Sequence, residues 1–281
     1  MTQSRSMTRA ISAGAALAIS MLATPGALAQ SPATQPAPGQ WQYSATLYAW
    51  FTSLGGTTNL PTGSGGPPID VDTADVVDAL KMAFFATLSA RKDRWGMFAD
   101  WAYADLGGSK DNTRDLNIGH EPLPATATAN LSLDLKASSL MLAGTYAVID
   151  TPGNRMEVVF GTRMLKMKER LDYTLSGDLG PIQLPGRSGR AEASQTNWDA
   201  ILGIGGKVRF GQGMRWFLPY YADIGTGESD RTWQAMVGLG YTFGWGDLVA
   251  TYRHLEYEFK PGGAVQSLNL SGPTIGAVFR W

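Results

Sequence analysis

Gly272-Pro273-Thr274-Ile275-Gly276-Ala277-Val278-Phe279-Arg280-Trp281 is the stretch on which the fold turns. Counted in twos from its end, Trp281, Phe279, Ala277 and Ile275 share one face, and Arg280, Val278, Gly276 and Thr274 share the other. An apolar face opposite a mixed one, at period two and finishing on an aromatic residue, is the pattern of a strand with lipid on one side and a polar lumen on the other. The edge of a soluble sandwich can show the same alternation over one strand, so the reading depends on whether the rest of the chain repeats it.

At the other end, Arg5 and Arg9 precede an almost uncharged run from Ala10 to Ala23, then Thr24-Pro25-Gly26 and the small-residue site Ala27-Leu28-Ala29. That order predicts a secretory signal peptide over residues 1–29, cleaved before Gln30. Residues 30–40 are rich in Pro, Ala and Gln and read as a flexible leader, with a barrel from residue 41 to residue 281. The chain has no cysteine, which excludes thiolate metal sites, disulfides and lipid attachment through sulfur. Its 23 basic and 24 acidic residues give no clustered positive charge for nucleic acid. After the signal segment no uncharged run approaches the roughly 20 residues of a membrane helix, so any crossing must be made by strands.

Period-two segments separated by turn residues continue along the mature chain. Ten are legible, roughly Gln42–Leu54, Met82–Arg91, Trp95–Leu106, Ala129–Val148, Met156–Leu171, Trp198–Phe210, Arg215–Gly225, Thr232–Phe243, Leu248–Phe259 and Leu268–Trp281. Lys92-Asp93-Arg94, Asp150 to Asn154, Gly211-Gln212-Gly213 and Gly244-Trp245-Gly246 form tight turns on one side, while three connections on the other run to about 20 residues or more. The predicted fold is therefore all-β: a transmembrane, antiparallel, up-and-down β-barrel of about 10 strands with short periplasmic turns and long extracellular loops. In the fourth segment the apolar parity changes between Leu135 and Leu140, which suggests a bulge near Ala137 to Ser139.

The inward parity carries charges of both signs: Asp100, Glu157, Arg163, Asp199, Lys207, Arg209, Arg215, Asp223, Arg253 and Arg280. Charges enclosed in a narrow bore must be paired or wet. The expected arrangement is a lumen network, or else a pore lining, formed by Asp100, Arg163, Asp199, Arg209, Arg215, Asp223 and Arg253, with Arg253 and Arg215 paired to Asp223 and Asp199. In the first long loop Thr73 is placed to cap a short helix whose apolar stripe is Val76, Val77 and Leu80. Asp70, Asp72, Asp75 and Asp78 miss the EF-hand spacing, so neither metal nor cofactor is expected. For catalysis there are only His120, beside Glu121, and His254, near Glu256, with a loop hydroxyl such as Ser229. No motif distinguishes these residues, and the chain is expected not to be an enzyme.

Asn197-Trp198-Asp199-Ala200-Ile201-Leu202-Gly203, Ala222-Asp223-Ile224-Gly225, Ser229-Asp230-Arg231-Thr232-Trp233-Gln234, Gly238-Leu239-Gly240-Tyr241, Tyr252-Arg253-His254-Leu255 and Ser271-Gly272-Pro273-Thr274-Ile275-Gly276 resemble a widespread proteobacterial family of uncharacterised outer-membrane barrel proteins. In that family Asp-Pro stands where this chain has Asp199-Ala200, and a Gly-rich turn replaces Gly225-Thr226-Gly227-Glu228. The resemblance implies the outer membrane of a Gram-negative bacterium as location. It also implies that Ile275, Phe279 and Trp281 are the C-terminal signal read by the barrel assembly machinery. Expected partners are outer-membrane lipid, lipopolysaccharide, that machinery and periplasmic chaperones, with no nucleic acid. A structural or minor permeability role leads. A narrow porin-like channel for small solutes or anions, a surface-binding or adhesion module, and an outer-membrane lipid- or peptide-modifying enzyme are the alternatives.

Overall fold

A computed structural model describes residues 39–58, 68–117, 124–179, 182–261 and 265–281; the expected signal peptide, most of the leader, and His120 with Glu121 lie outside them. The chain forms β1 (Gln42–Trp50), β2 (Ser53–Thr58), β3 (Pro68–Val71), α1 (Thr73–Ala79), β4 (Leu80–Lys92), β5 (Trp95–Asn117), β6 (Pro124–Asp150) and β7 (Asn154–Leu179). It continues through β8 (Ile182–Phe210), a 3₁₀ turn (Gln212–Met214), β9 (Trp216–Gly227), β10 (Ser229–Thr242), β11 (Asp247–Phe259) and β12 (Val265–Arg280). Sequential strands from β4 to β12 pair in order, and β1 pairs with both β4 and β12. β1 and β2 are one strand interrupted at Phe51-Thr52, so the sheet closes as a ten-stranded antiparallel barrel with β3 as a short extra return along β2.

The closing seam runs from Ser44↔Arg280 to Trp50↔Thr274, and Tyr43 and Trp281 exchange two further backbone hydrogen bonds at 3.0 and 3.2 Å. Where the first strand is interrupted, the Phe51 carbonyl presses on Gly272; a Cβ there would lie 1.9 Å from that oxygen. Only glycine fits such a close backbone approach. β1 and β4 are hydrogen-bonded only from Gln42↔Arg91 to Leu47↔Ala86. Above that point they part. Phe85 packs against the rings of Tyr48 and Trp50 there, and α1 lies against β2 and β5.

The alternation read from the sequence has its physical outlet on the outside of the barrel. Leu88, Met97, Leu202, Ile224, Val237 and Ile275 are each more than half exposed, as side chains meeting lipid must be. A soluble monomer does not carry so wide an apolar surface. At the short-turn rim the rings of Trp41, Tyr43 and Trp281 follow one another, as do those of Trp216, Tyr241, Phe243, Trp245 and Phe279. Phe84 and Trp101 meet at 5.3 Å nearer the other rim. Two aromatic girdles flanking an apolar band mark the interfaces of a bilayer. The protein is an outer-membrane barrel, with both ends of the described chain on the periplasmic side.

Three local expectations need correction. β5, β6 and β7 run through residues 125–147 without a register shift at Ala137 to Ser139; the bulge lies between Ala147 and Ile149. The parity changes because the strand leaves the lipid, after which outward positions such as Lys136 and Asp134 face water and no longer need to be apolar. The second and third long loops are themselves sheet: β5 stays paired with β6 up to Asn117↔Pro124, and β7 with β8 up to Leu179↔Ile182. Finally, α1 is capped by Asp72, whose Oδ1 accepts from the Asp75 amide at 3.0 Å, and not by Thr73. Of the expected stripe only Val76 is buried, Val77 and Leu80 being exposed.

Candidate functional site

Inside the barrel three layers follow one another from the extracellular to the periplasmic side. The upper layer is apolar. Trp50, Leu165, Met167, Leu255, Tyr257, Phe259, Val265 and Leu268 form one buried cluster with Tyr48, Leu54, Phe85 and Leu270 against it. These are the inward positions of the upper ends of β1, β7, β11 and β12, where the outward positions have left the lipid. The pattern there is inverted, apolar inside and polar outside, as in a water-soluble barrel.

Beneath it lies a polar layer to which every barrel strand contributes a side chain. Arg163 is fully buried; its Nη2 donates to Asp223 Oδ2 and its Nη1 to Thr232 Oγ1 at 3.1 Å. Met141 Sδ lies 3.6 Å from the same Nη2. Asp199 is the register partner of Arg163, and its Oδ1 accepts the Ser229 amide at 2.8 Å. Across the bore, Arg253 donates to Gln234 Oε1 through Nη2 at 2.8 Å, to the Tyr48 hydroxyl at 2.9 Å and to Asp100 Oδ2 at 3.1 Å. Its guanidinium lies over the Trp50 ring, 4.7 Å from the centroid. Asp100 Oδ1 accepts from Tyr48 at 2.9 Å and Thr87 at 2.7 Å. Thr251 and Thr274, hydrogen-bonded at 2.5 Å, complete the ring on β11 and β12.

The lowest layer is basic. Lys207 and Arg209 both lie against the Phe217 ring, at 5.7 and 5.5 Å from its centroid. The ring has room because Gly240 faces it; a Cβ there would stand 2.2 Å from Phe217 Cζ. Arg155 pairs with Asp150 at 2.7 Å and Glu157 at 2.5 Å, and Arg280 pairs with Asp247.

The structure thus brings Asp100, Arg163, Asp199, Arg209, Asp223 and Arg253 into the lumen and leaves Arg215 out of it. Arg215 sits exposed at the end of the 3₁₀ turn, below the first residue of β9. The partners also differ from expectation: Arg253 takes Asp100, and Asp223 is taken by Arg163. Period-two counting gives the face but not the stagger of the strands, so it could not say which charges share a height. Tyr48, Gln234 and Thr232 also belong to this layer, and being uncharged they carry no sign in the sequence that sets them apart from other inward residues.

Ser229, the loop hydroxyl named beside His254 and Glu256, does not meet them. Ser229 is fully buried on the lumen side, whereas His254 and Glu256 point outward, and the hydroxyl beside His254 belongs to Ser271. Ile275 and Phe279 face lipid, and Trp281 stacks on Tyr43 at 6.3 Å.

No protein-family model matches the chain, and no curated protein sequence matches it. Among solved structures it is similar to the outer-membrane protease OmpT of Escherichia coli, at 9% identity and TM-score 0.47 over 86% of this chain and 96% of that one. It is also similar to the NalP autotransporter translocator domain of Neisseria meningitidis, at 15% identity and TM-score 0.39 over 88% and 90%. The attachment invasion locus protein Ail of Yersinia pestis aligns at 10% identity and TM-score 0.33 over 87% and 100%. The likeness in each case is one of barrel architecture.

Proposed function

We propose that this protein is a non-conducting outer-membrane barrel whose working surface lies outside the cell, on the four-stranded sheet that β5 to β8 extend beyond the membrane. The observation that carries this reading is the filled bore: an apolar cluster stacked on a layer of side chains from every strand, in which Arg163–Asp223 and Arg253–Asp100 are the ion pairs. A hydrated ion would have to displace side chains from both layers, and Arg163 and Arg253, the arginines of the polar layer, are already held by carboxylates. The projecting sheet supports the second half of the reading. At its base, just above the lipid, the outward face carries a band of charges that crosses five strands from β4 to β8, with Lys81–Asp134, Lys136–Asp105 and Arg170–Glu192 among its pairs. Such a surface suits a role in contact with polar surroundings at the cell exterior, with the barrel as its rigid mount.

Planar-bilayer recording of the purified, refolded protein tests this. No discrete conductance steps are expected. Reproducible steps whose ion preference changes in Arg253→Ala would overturn the reading in favour of a channel.

A further inference from the structure

The lipid-facing pattern of β11 and β12 gives way to polar residues at its upper edge. His254 and Ser271 are direct register partners, and His254 Nδ1 lies 2.5 Å from Ser271 Oγ. On the far side of the ring, His254 Nε2 lies 3.3 Å from Glu256 Oε2. That carboxylate is held by the Trp233 indole, whose Nε1 donates to the same oxygen at 3.0 Å, and the Trp233 ring packs on the imidazole with centroids 4.5 Å apart. A hydroxyl, an imidazole and a carboxylate in series, with the carboxylate fixed by a further donor, have the connectivity of an activated serine nucleophile. With Nδ1 accepting the serine proton, Nε2–H is directed at Glu256.

The depth of this group in the membrane matters as much as its geometry. Below Ser271 on the same outer face come Pro273, Ile275 and Ala277, and below His254 come Tyr252, Ala250 and Leu248. Above them the outward residues are polar: Glu258 on β11 and Asn269 and Ser267 on β12. The hydroxyl therefore lies where acyl chains give way to headgroups, the depth at which ester linkages of membrane lipids sit. His254 and Glu256 are each partly exposed, at 28%, so an ester can approach from the bilayer. Ser53, the ladder partner of Ser271, donates its hydroxyl to the Ser271 carbonyl at 3.1 Å and so fixes the backbone that carries the nucleophile.

We infer that Ser271, His254 and Glu256 form an acyl-ester hydrolase site opening to the outer leaflet, with lipids bearing ester-linked acyl chains as substrate class. Ser271 Oγ bonds to the ester carbonyl carbon while its proton passes to His254. The carbon–oxygen bond to the lipid alcohol then breaks, and His254 returns the proton to the departing oxygen. Water adds to the resulting acyl-serine through the same histidine, which releases a fatty acid and restores the Ser271 hydroxyl. Glu256 holds the ring in the required tautomer and stabilises it when charged. The site lies apart from the projecting sheet and does not depend on the role proposed for it.

The test uses the full mature chain refolded in detergent and scored as folded by heat-modifiable migration. A long-chain fluorophosphonate is added, and the labelled residue is mapped by mass spectrometry. Fatty-acid release is then followed from vesicles of phosphatidylethanolamine and, separately, of lipopolysaccharide. Label on Ser271, with release lowered by roughly 100-fold or more in Ser271→Ala and His254→Asn and unchanged in Ser267→Ala, supports the site. Which vesicle yields fatty acid identifies the lipid. Folded wild-type protein that takes no label and releases nothing from either vesicle overturns the inference, as does label mapping to another serine. Mapping on the wild type needs no variant, so misfolding of Ser271→Ala would not leave the question open.

Discussion

At the scale of the residue, the lumen is decided by how two arginines are neutralised. Arg163 and Asp223 are both buried, and a charge left alone at that depth has no water to solvate it. Arg163→Ala should therefore cost roughly 3–5 kcal/mol, because it strands the carboxylate, whereas Arg163→Met combined with Asp223→Leu should recover most of that loss. The urea concentration at which the heat-modifiable form disappears measures both; equal damage from the single and the double change would argue against an ion pair at this position. Exposed pairs behave differently. The Lys81 hydrogen bond holds the Asp134 carboxyl below its ordinary range. A depressed folded value means that the pair contributes fully above the unfolded carboxylate value of about 4 and loses that contribution as pH falls through the folded one. Lys81 is more than half exposed and Asp134 partly so, so solvent screens the pair and the effect is small and local. Limited proteolysis of the projecting sheet should rise only under acid conditions, and Lys81→Met should flatten that dependence.

At the scale of the element, closure depends on β1 meeting β12. Trp281 supplies two backbone hydrogen bonds to Tyr43 and a stacked ring, at the end of a seven-pair register. Removing Trp281 is expected to lower the amount of folded barrel in the outer membrane before it changes anything else, as measured by heat-modifiable protein in membrane fractions; unchanged levels would remove this role. The ten spanning segments were legible because lipid forces strict alternation on them, most plainly at Trp233 to Phe243. The extensions of β5 to β8 were not, because a strand wet on its outer face has no obligatory apolar positions there. Its polar and glycine-rich stretches read as loop until the partner strand is known. The bulge was misplaced for the same reason, since a change of solvent and a change of register look alike in one sequence.

At the scale of the whole molecule, the turns at Asp93, Thr151 to Gly153, Gly211 and Gly244 share one rim, and the projecting sheet rises from the other. An epitope tag placed between β5 and β6 should be labelled on intact cells, and one placed at Asp93 only after the outer membrane is permeabilised. The reverse pattern would invert the barrel. The sequence by itself determined that the chain is a membrane barrel, how many times it crosses, and which residues face lipid, because the bilayer imposes one chemistry on every second residue. Only the tertiary structure decided which side chains pack together in the bore, that Arg253 holds Asp100 while Arg163 holds Asp223, and that Ser271 stands beside His254. Those facts depend on the stagger between neighbouring strands and on which side chains meet across the lumen. Stagger is set by the whole closed sheet, and no single strand encodes it.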